Sequence, residues 1–339
     1  MFLDSENKRA IRERYNLPFL SLVSSRLGRK LAYLGLPGAP LNDLVDWGPM
    51  LSVKTCVQIV RKPRLQREED LQIISEMAST ALVQDIKQLE IIRGAIEEVI
   101  LAGKGIDGAS PKLSVNSGTG ISFQYDIYNL DFLGGIAYKK TSQTATGQKS
   151  PRIKAIEELF ARQRGHDFNL FLTLNVRDTF GDEPVQFLQE AAQRTQNDLI
   201  QTVAAWGSGL GEGFKQHQLR LWVPQWIREL AEMQNFRCRC LPSVAYTGHE
   251  NAKMIHFTFE FQFVAGRDLR VQSSQTAEDV LNLPMLLVEE GRFLRCVVSG
   301  DPCSILEPPQ GPLTPQQLMS CITGDTHAEL SSPVAIQAS

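Results

Sequence analysis

The chain has 339 residues, 42% hydrophobic and 22% charged, the make-up of a globular protein with a sizeable core. Thirty-five Lys and Arg against 38 Asp and Glu leave a formal charge of −3, so the global balance does not mark a nucleic-acid binder. Six cysteines without a CxxC pair argue against a disulfide scaffold. No window approaches the ~18 apolar residues of a membrane helix, and Met1–Glu6 turns acidic early, unlike a signal peptide. A cytoplasmic protein with no membrane contact is the expectation.

Residues 1–30 form a basic N-terminal helical segment with Lys8, Arg9, Arg12, Arg14, Arg26, Arg29 and Lys30. Lys30–Leu36 is a short apolar run closed by Pro37-Gly38, a strand ending in a tight turn. Val53–Val60 is β-branched and ends at Pro63. Leu71, Ile74, Met77, Ala78, Ala81, Leu82 and Ile86 then mark one helix face over 66–87. Leu89–Ile92 is a strand stopped by Gly94, with a helical piece at Ile96–Leu101. Gly103, Gly105, Gly108, Pro111, Gly118 and Gly120 make a loop.

Phe123–Phe132 is the next strand and Pro151–Arg164 the next helix; Phe168–Val176 is the most convincing buried strand in the chain. Helices are expected at 184–205 and 216–234. The glycine run Gly207–Gly213 follows helical rather than strand spacing and therefore connects helices instead of cradling phosphate. Two long strands, Phe236–Tyr246 and Lys253–Val264, turn near Thr247-Gly248, and Met285–Val288 with Phe293–Val298 makes a hairpin. Cys238 and Cys240 point to one strand face, but no zinc-module spacing accompanies them, so no metal is expected. The segment 301–339 has six prolines and neither Lys nor Arg; it reads as a mostly disordered tail, with a short helix at Gln316–Cys321 opened by Thr314-Pro315.

Strands alternating with helices imply an α/β fold over 31–300: a doubly wound, mostly parallel seven-stranded sheet with a C-terminal antiparallel hairpin. Five strand–helix units followed by two directly joined strands resemble the class I S-adenosylmethionine-dependent methyltransferases, a Rossmann-like family whose last strand runs antiparallel. Ligands in such sheets sit beyond the carboxyl ends of the strands where strand order reverses. The resemblance places S-adenosylmethionine near Gly35, Gly38 and Gly94, where backbone can approach closely. It is degenerate there, because no acid follows the second strand at Gln58–Arg61 and none accompanies Gly94.

The fourth strand carries Asn129-Leu130-Asp131-Phe132-Leu133-Gly134-Gly135, similar to the Asp-Pro-Phe-Gly stretch of tRNA guanine dimethyltransferase relatives without its proline. The resemblance implies Asp131, Asn129 and Phe132 as catalytic residues, with Asp131 orienting an amine or taking its proton and Phe132 stacking on a base. Lys139, Lys140, Arg152 and Lys154 follow directly and would hold a nucleic acid. The alternative is a catalytically inactive methyltransferase-like binding or scaffold subunit with a protein or nucleic-acid partner, which the two missing carboxylates favour.

Overall fold

The computed structural model describes residues 5–37, 41–58, 88–106, 108, 124–132, 134–136, 150–176, 212–266, 271–295 and 311–324, with isolated positions between 188 and 204. Five parallel strands form the heart of the sheet: β1 (Leu31–Gly35), β2 (Leu51–Gln58), β3 (Gln88–Arg93), β4 (Ile127–Asp131) and β5 (Phe168–Asn175). Their order is β5-β4-β1-β2-β3, so the chain runs outward from β1 to β3 and restarts at β4 on the other side of β1. That restart is the topological switch point, where crossover connections part and leave a crevice. β5 is buried from Phe168 to Leu174, as a strand covered on both faces must be.

β8 (Lys253–Phe263) runs antiparallel beside β5, meeting the expectation of a reversed last strand. The expected single strand 236–246 is two pieces, β6 (Phe236–Cys240) and β7 (Ser243–Thr247), both antiparallel to β8. They part at Leu241-Pro242, where proline has no N–H to give to the ladder. The hairpin of β9 (Met285–Glu289) and β10 (Arg292–Arg295) joins the same sheet, because β9 pairs in parallel with β7. The sheet therefore has ten strands rather than seven.

Helices cover both faces. On one face α1 (Glu6–Ala10), a π-helical turn (Ile11–Asn16), α2 (Leu17–Leu27) and α3 (Asn42–Trp47) bury Tyr15, Phe19, Leu44 and Trp47 against Ile127, Phe171 and Val244. On the other, α4 (Ile96–Ala102), α5 (Pro151–Arg162) and α6 (Glu212–Met233) pack Val99, Phe160 and Val223 on Leu34, Leu130 and Leu170. The expected helix 66–87 and the glycine run at 207–211 lie outside the described residues, as does most of 184–205.

A short helix α7 (Ala277–Leu281) precedes the hairpin, and α8 (Pro315–Thr323) lies in the segment expected to be mostly disordered. It matches the short helix expected at Gln316–Cys321 behind Thr314-Pro315, and 301–310 and 325–339 lie outside the described residues. Leu318, Cys321 and Ile322 are spaced along one face of α8 and are buried on the α2 side. Arg239 donates to the Ile322 carbonyl, and the Leu313 amide donates to Phe293 O at 2.7 Å. Thr314 caps α8 in a reciprocal box with Gln317. Thr314→Ala is expected to cost about 1 kcal/mol of local stability, read as faster amide exchange confined to 315–323.

Candidate functional site

Alternation along β4 sorts the candidate residues. Ile127, Asn129 and Asp131 point to the α1–α3 face, whereas Tyr128, Leu130 and Phe132 belong to the opposite core. The expected trio is therefore divided: Asn129 and Asp131 share a crevice and Phe132 does not. Phe132 is buried under the Arg152 guanidinium, 4.5 Å from its ring centre, and Arg152 donates to Gly135 O at 2.5 Å. Neither side chain offers a surface to a base or a phosphate, which corrects the expectation for both. Of the other basic candidates Lys154 is exposed on α5, and Lys139 and Lys140 lie outside the described residues.

At the carboxyl ends of β1, β4 and β5, a cavity of about 20 Å³ is lined by Lys8, Asp43, Asn129, Asp131, Thr173 and His256, among others. That is room for about one water molecule. Asn129 Nδ2 donates to Asp43 Oδ2 at 2.6 Å, and the Tyr33 hydroxyl lies 3.4 Å from the same oxygen. Lys8 reaches down from α1 to pair with Asp131, and Arg12 pairs with Asp46 at the edge. Burial works against the Lys8 ammonium, but the Asp131 carboxylate outweighs it and holds the pKa above the ordinary lysine value. Burial pushes Asp43 up to about 7, against the pull of Lys8 and Arg12.

His256 on β8 completes the far wall. Burial lowers its pKa to about 4, so at neutral pH the ring is uncharged. Its Nε2–H then donates to Asn16 Oδ1 at 3.1 Å, and its Nδ1 accepts from the Thr173 hydroxyl at 2.8 Å. His256 faces away from Cys238 and Cys240, whose sulfurs lie 3.8 Å apart in the opposite core, so the three cannot share an ion. Among the described residues, no group of three or more metal-binding side chains forms.

The glycines take roles other than those expected. A Cβ on Gly35 would lie 2.3 Å from the Tyr33 hydroxyl and 2.9 Å from Asn129 Cβ, so this glycine makes room for a phenol folded along its own strand. Gly94, at φ +155°, would bring a Cβ within 3.3 Å of Val99 Cγ2, the first turn of α4. It serves a strand-to-helix turn. Gly38 lies outside the described residues.

Asp43, Lys8 and His256 are not among the catalytic or cofactor-binding residues expected from the sequence. One signal was available for part of this: Lys8 and Arg12 stand four apart and so share a helix face.

No family model and no curated protein matches the chain. Solved structures do. The YcgJ protein from Bacillus subtilis is 9% identical with a TM-score of 0.34, over 73% of this chain and 99% of that one. Magnesium protoporphyrin IX methyltransferase (ChlM) from Synechocystis, solved with bound SAH, is 9% identical with a TM-score of 0.36, over 75% and 85%. Sp1610 from Streptococcus pneumoniae, in complex with S-adenosyl-L-methionine, is 12% identical with a TM-score of 0.34, over 78% of each chain. The fold is a doubly wound, mostly parallel α/β sheet whose strand order reverses at β1 and β4 and whose β8 runs antiparallel. No described helix is long and apolar enough to cross a membrane.

Proposed function

We propose that this chain is an S-adenosylmethionine-dependent methyltransferase working at the carboxyl ends of β1 and β4, with a nucleic acid as one candidate substrate class. One observation carries the reading: the switch point brings Asn129, Asp131 and Asp43, from β4 and α3, into one crevice. The donor set fits the amino-acid end of the cofactor, since Asp43 and Asp131 suit an ammonium and a sulfonium while Arg12, on the part of the helix that stays anchored, suits a carboxylate. When bound, the cofactor would supply an electrophilic methyl group. Asp131 would hold the acceptor by a charge-assisted hydrogen bond, and Asn129, fixed by Asp43, would align it. A carboxyl group titrating near 7 can hold or release a proton at working pH, and Asp43 is that group. The cavity as it stands is far below the roughly 300–1,000 Å³ of a cofactor site. Occupancy therefore requires the α1 side of the crevice to yield.

A second reading, a binding or scaffold subunit without catalysis, is favoured by Tyr33 folded over Gly35 and by Lys8 seated on Asp131. Calorimetric titration with S-adenosylmethionine and its demethylated product separates the two. The first reading expects a micromolar Kd, about −8 kcal/mol, weakened at least about tenfold by Asp131→Ala through loss of a charge-assisted contact. No heat up to millimolar ligand in any variant makes the second reading the conclusion. Lys154→Ala should lower the salt-dependent affinity for single-stranded RNA if that face holds a phosphate backbone.

A further inference from the structure

We infer that α1 is a built-in gate whose Lys8 takes up the acceptor position on Asp131, so that the crevice opens when these five residues swing away from the sheet. The inference rests on reading Asp131 and Asn129 as the working end of the site, and it names how that end is regulated.

The attachment of the N-terminal helix changes abruptly at the π turn. From Ile11 onward the helix is anchored by buried groups. The Tyr15 hydroxyl donates to Pro242 O at 2.7 Å, Trp47 Nε1 donates to Arg12 O at 3.2 Å, and Asn16 accepts from His256. Phe19, Leu20 and Val23 are then fully packed against the sheet. The five residues before the turn bury Ala10 alone. They are held chiefly by polar links: Asn7 Nδ2 to Thr247 O at 3.2 Å, the Gly291 amide to Asn7 Oδ1 at 3.1 Å, and Lys8 to Asp131.

The Lys8 side chain is 44% exposed whereas Asp131 is 11% exposed, so the ammonium reaches water easily once the pair parts. A six-residue π-helical turn is an uncommon geometry and a natural place for a helix to give. Lys8 is also an alkylammonium lying on a carboxylate at the end of β4. The site thus accepts a primary ammonium, and the gate imitates one. Held in its charged form by Asp131, Lys8 is a blocking group and not a nucleophile.

Carbodiimide labelling of carboxylates, read by mass spectrometry on the full chain, tests the gate without needing a ligand. Asn7→Ala leaves Lys8 and Asp131 intact but removes two hydrogen bonds of α1, and it should raise the labelling of Asp131 roughly tenfold by populating the open state. Lys8→Met should raise it as well, while Glu260, partly buried elsewhere beside Arg26 and Arg239, labels as in the wild type and reports an intact fold. Amide exchange should quicken over 6–10 and stay unchanged over 17–27. Wild-type labelling of Asp131 in Asn7→Ala overturns the gate, even if Lys8→Met labels, because then only the local pair matters. Titration of the same proteins keeps the two proposals apart. Raised labelling with no heat from cofactor or product leaves the gate standing and retires the methyltransferase reading; cofactor heat that is equal in all three, with unchanged labelling, does the reverse.

Discussion

Asp126→Ala is expected to lower the unfolding free energy by about 2–3 kcal/mol, the cost of taking a buried carboxylate away from the donors that converge on it. Asp126 is buried at the amino-terminal ends of the strands, away from the crevice, and its two oxygens serve four donors. Arg29 grips it with both terminal nitrogens at 2.7 Å, the Ala32 amide donates at 2.7 Å, and His166 Nε2 lies at 3.1 Å. Its backbone ties the same strands together, since Asp126 N donates to Ala32 O and Asp126 O accepts from Asn169 N. Alanine keeps these backbone bonds but leaves the Ala32 amide without its side-chain acceptor and frees Arg29 of the α2–β1 turn from the start of β4. Arg29 is half exposed and rehydrates, which holds the loss below the cost of two stranded charges.

The pH dependence has a definite sign. Burial raises the Asp126 pKa, but the hydrogen bonds from His166, Arg29 and Ala32 outweigh it and leave the value lowered. A depressed folded pKa contributes stability above the unfolded value of about 3.9, and that contribution fades as pH falls through the folded one. Equilibrium denaturation at pH 7 and in acid measures both quantities. The gap between wild type and variant should close in acid, and a gap under about 1 kcal/mol at pH 7 would place the pair among ordinary surface pairs.

What the sequence reveals and what it hides divide along physical lines. β1, β3 and β5 are legible because apolar runs between turn residues have few other uses, and α5 because Ser150-Pro151 announces its first turn. The paired faces are not legible in the same way. Phe132 and Arg152 read as a base-stacking ring and a phosphate contact, since Arg is mostly a surface residue; a cation–π contact and a carbonyl acceptor allow it to be buried. Gly35 reads as room for a ligand, whereas the claimant to that room is Tyr33, two residues back on the same face. The Lys8–Asp131 pair spans 123 positions, and no local spacing encodes it. The motif at the end of β4 draws the eye to Asp131, whereas the partner that covers it lies beyond any local pattern.

Asp43 gives the second large effect, with the opposite sign to Asp126. Its carboxyl group is buried beside Asn129, Tyr33 and the second carboxylate Asp131, with Lys8 and Arg12 facing it from the N-terminal helix and the neutral His256 across the cavity. Burial lifts its pKa to about 7. The folded protein thus keeps a proton that the unfolded chain releases near 3.9, and stability from this group falls as pH rises from about 4 to about 7. At roughly 1.4 kcal/mol per pKa unit the full swing is on the order of 4 kcal/mol. Asp43→Asn cannot titrate, yet its Oδ1 still accepts from Asn129 Nδ2. The stability of the variant relative to wild type should therefore rise from pH 4.5 to about pH 7 and then level off, a change of several kcal/mol, because carboxylates remote from the crevice cancel in the difference. A flat difference would mean that Asp43 is already ionised in the fold, with Lys8 and Arg12 outweighing its burial. A rising one means that the crevice holds a proton at neutral pH on a group bonded to Asn129, within reach of whatever replaces Lys8 on Asp131.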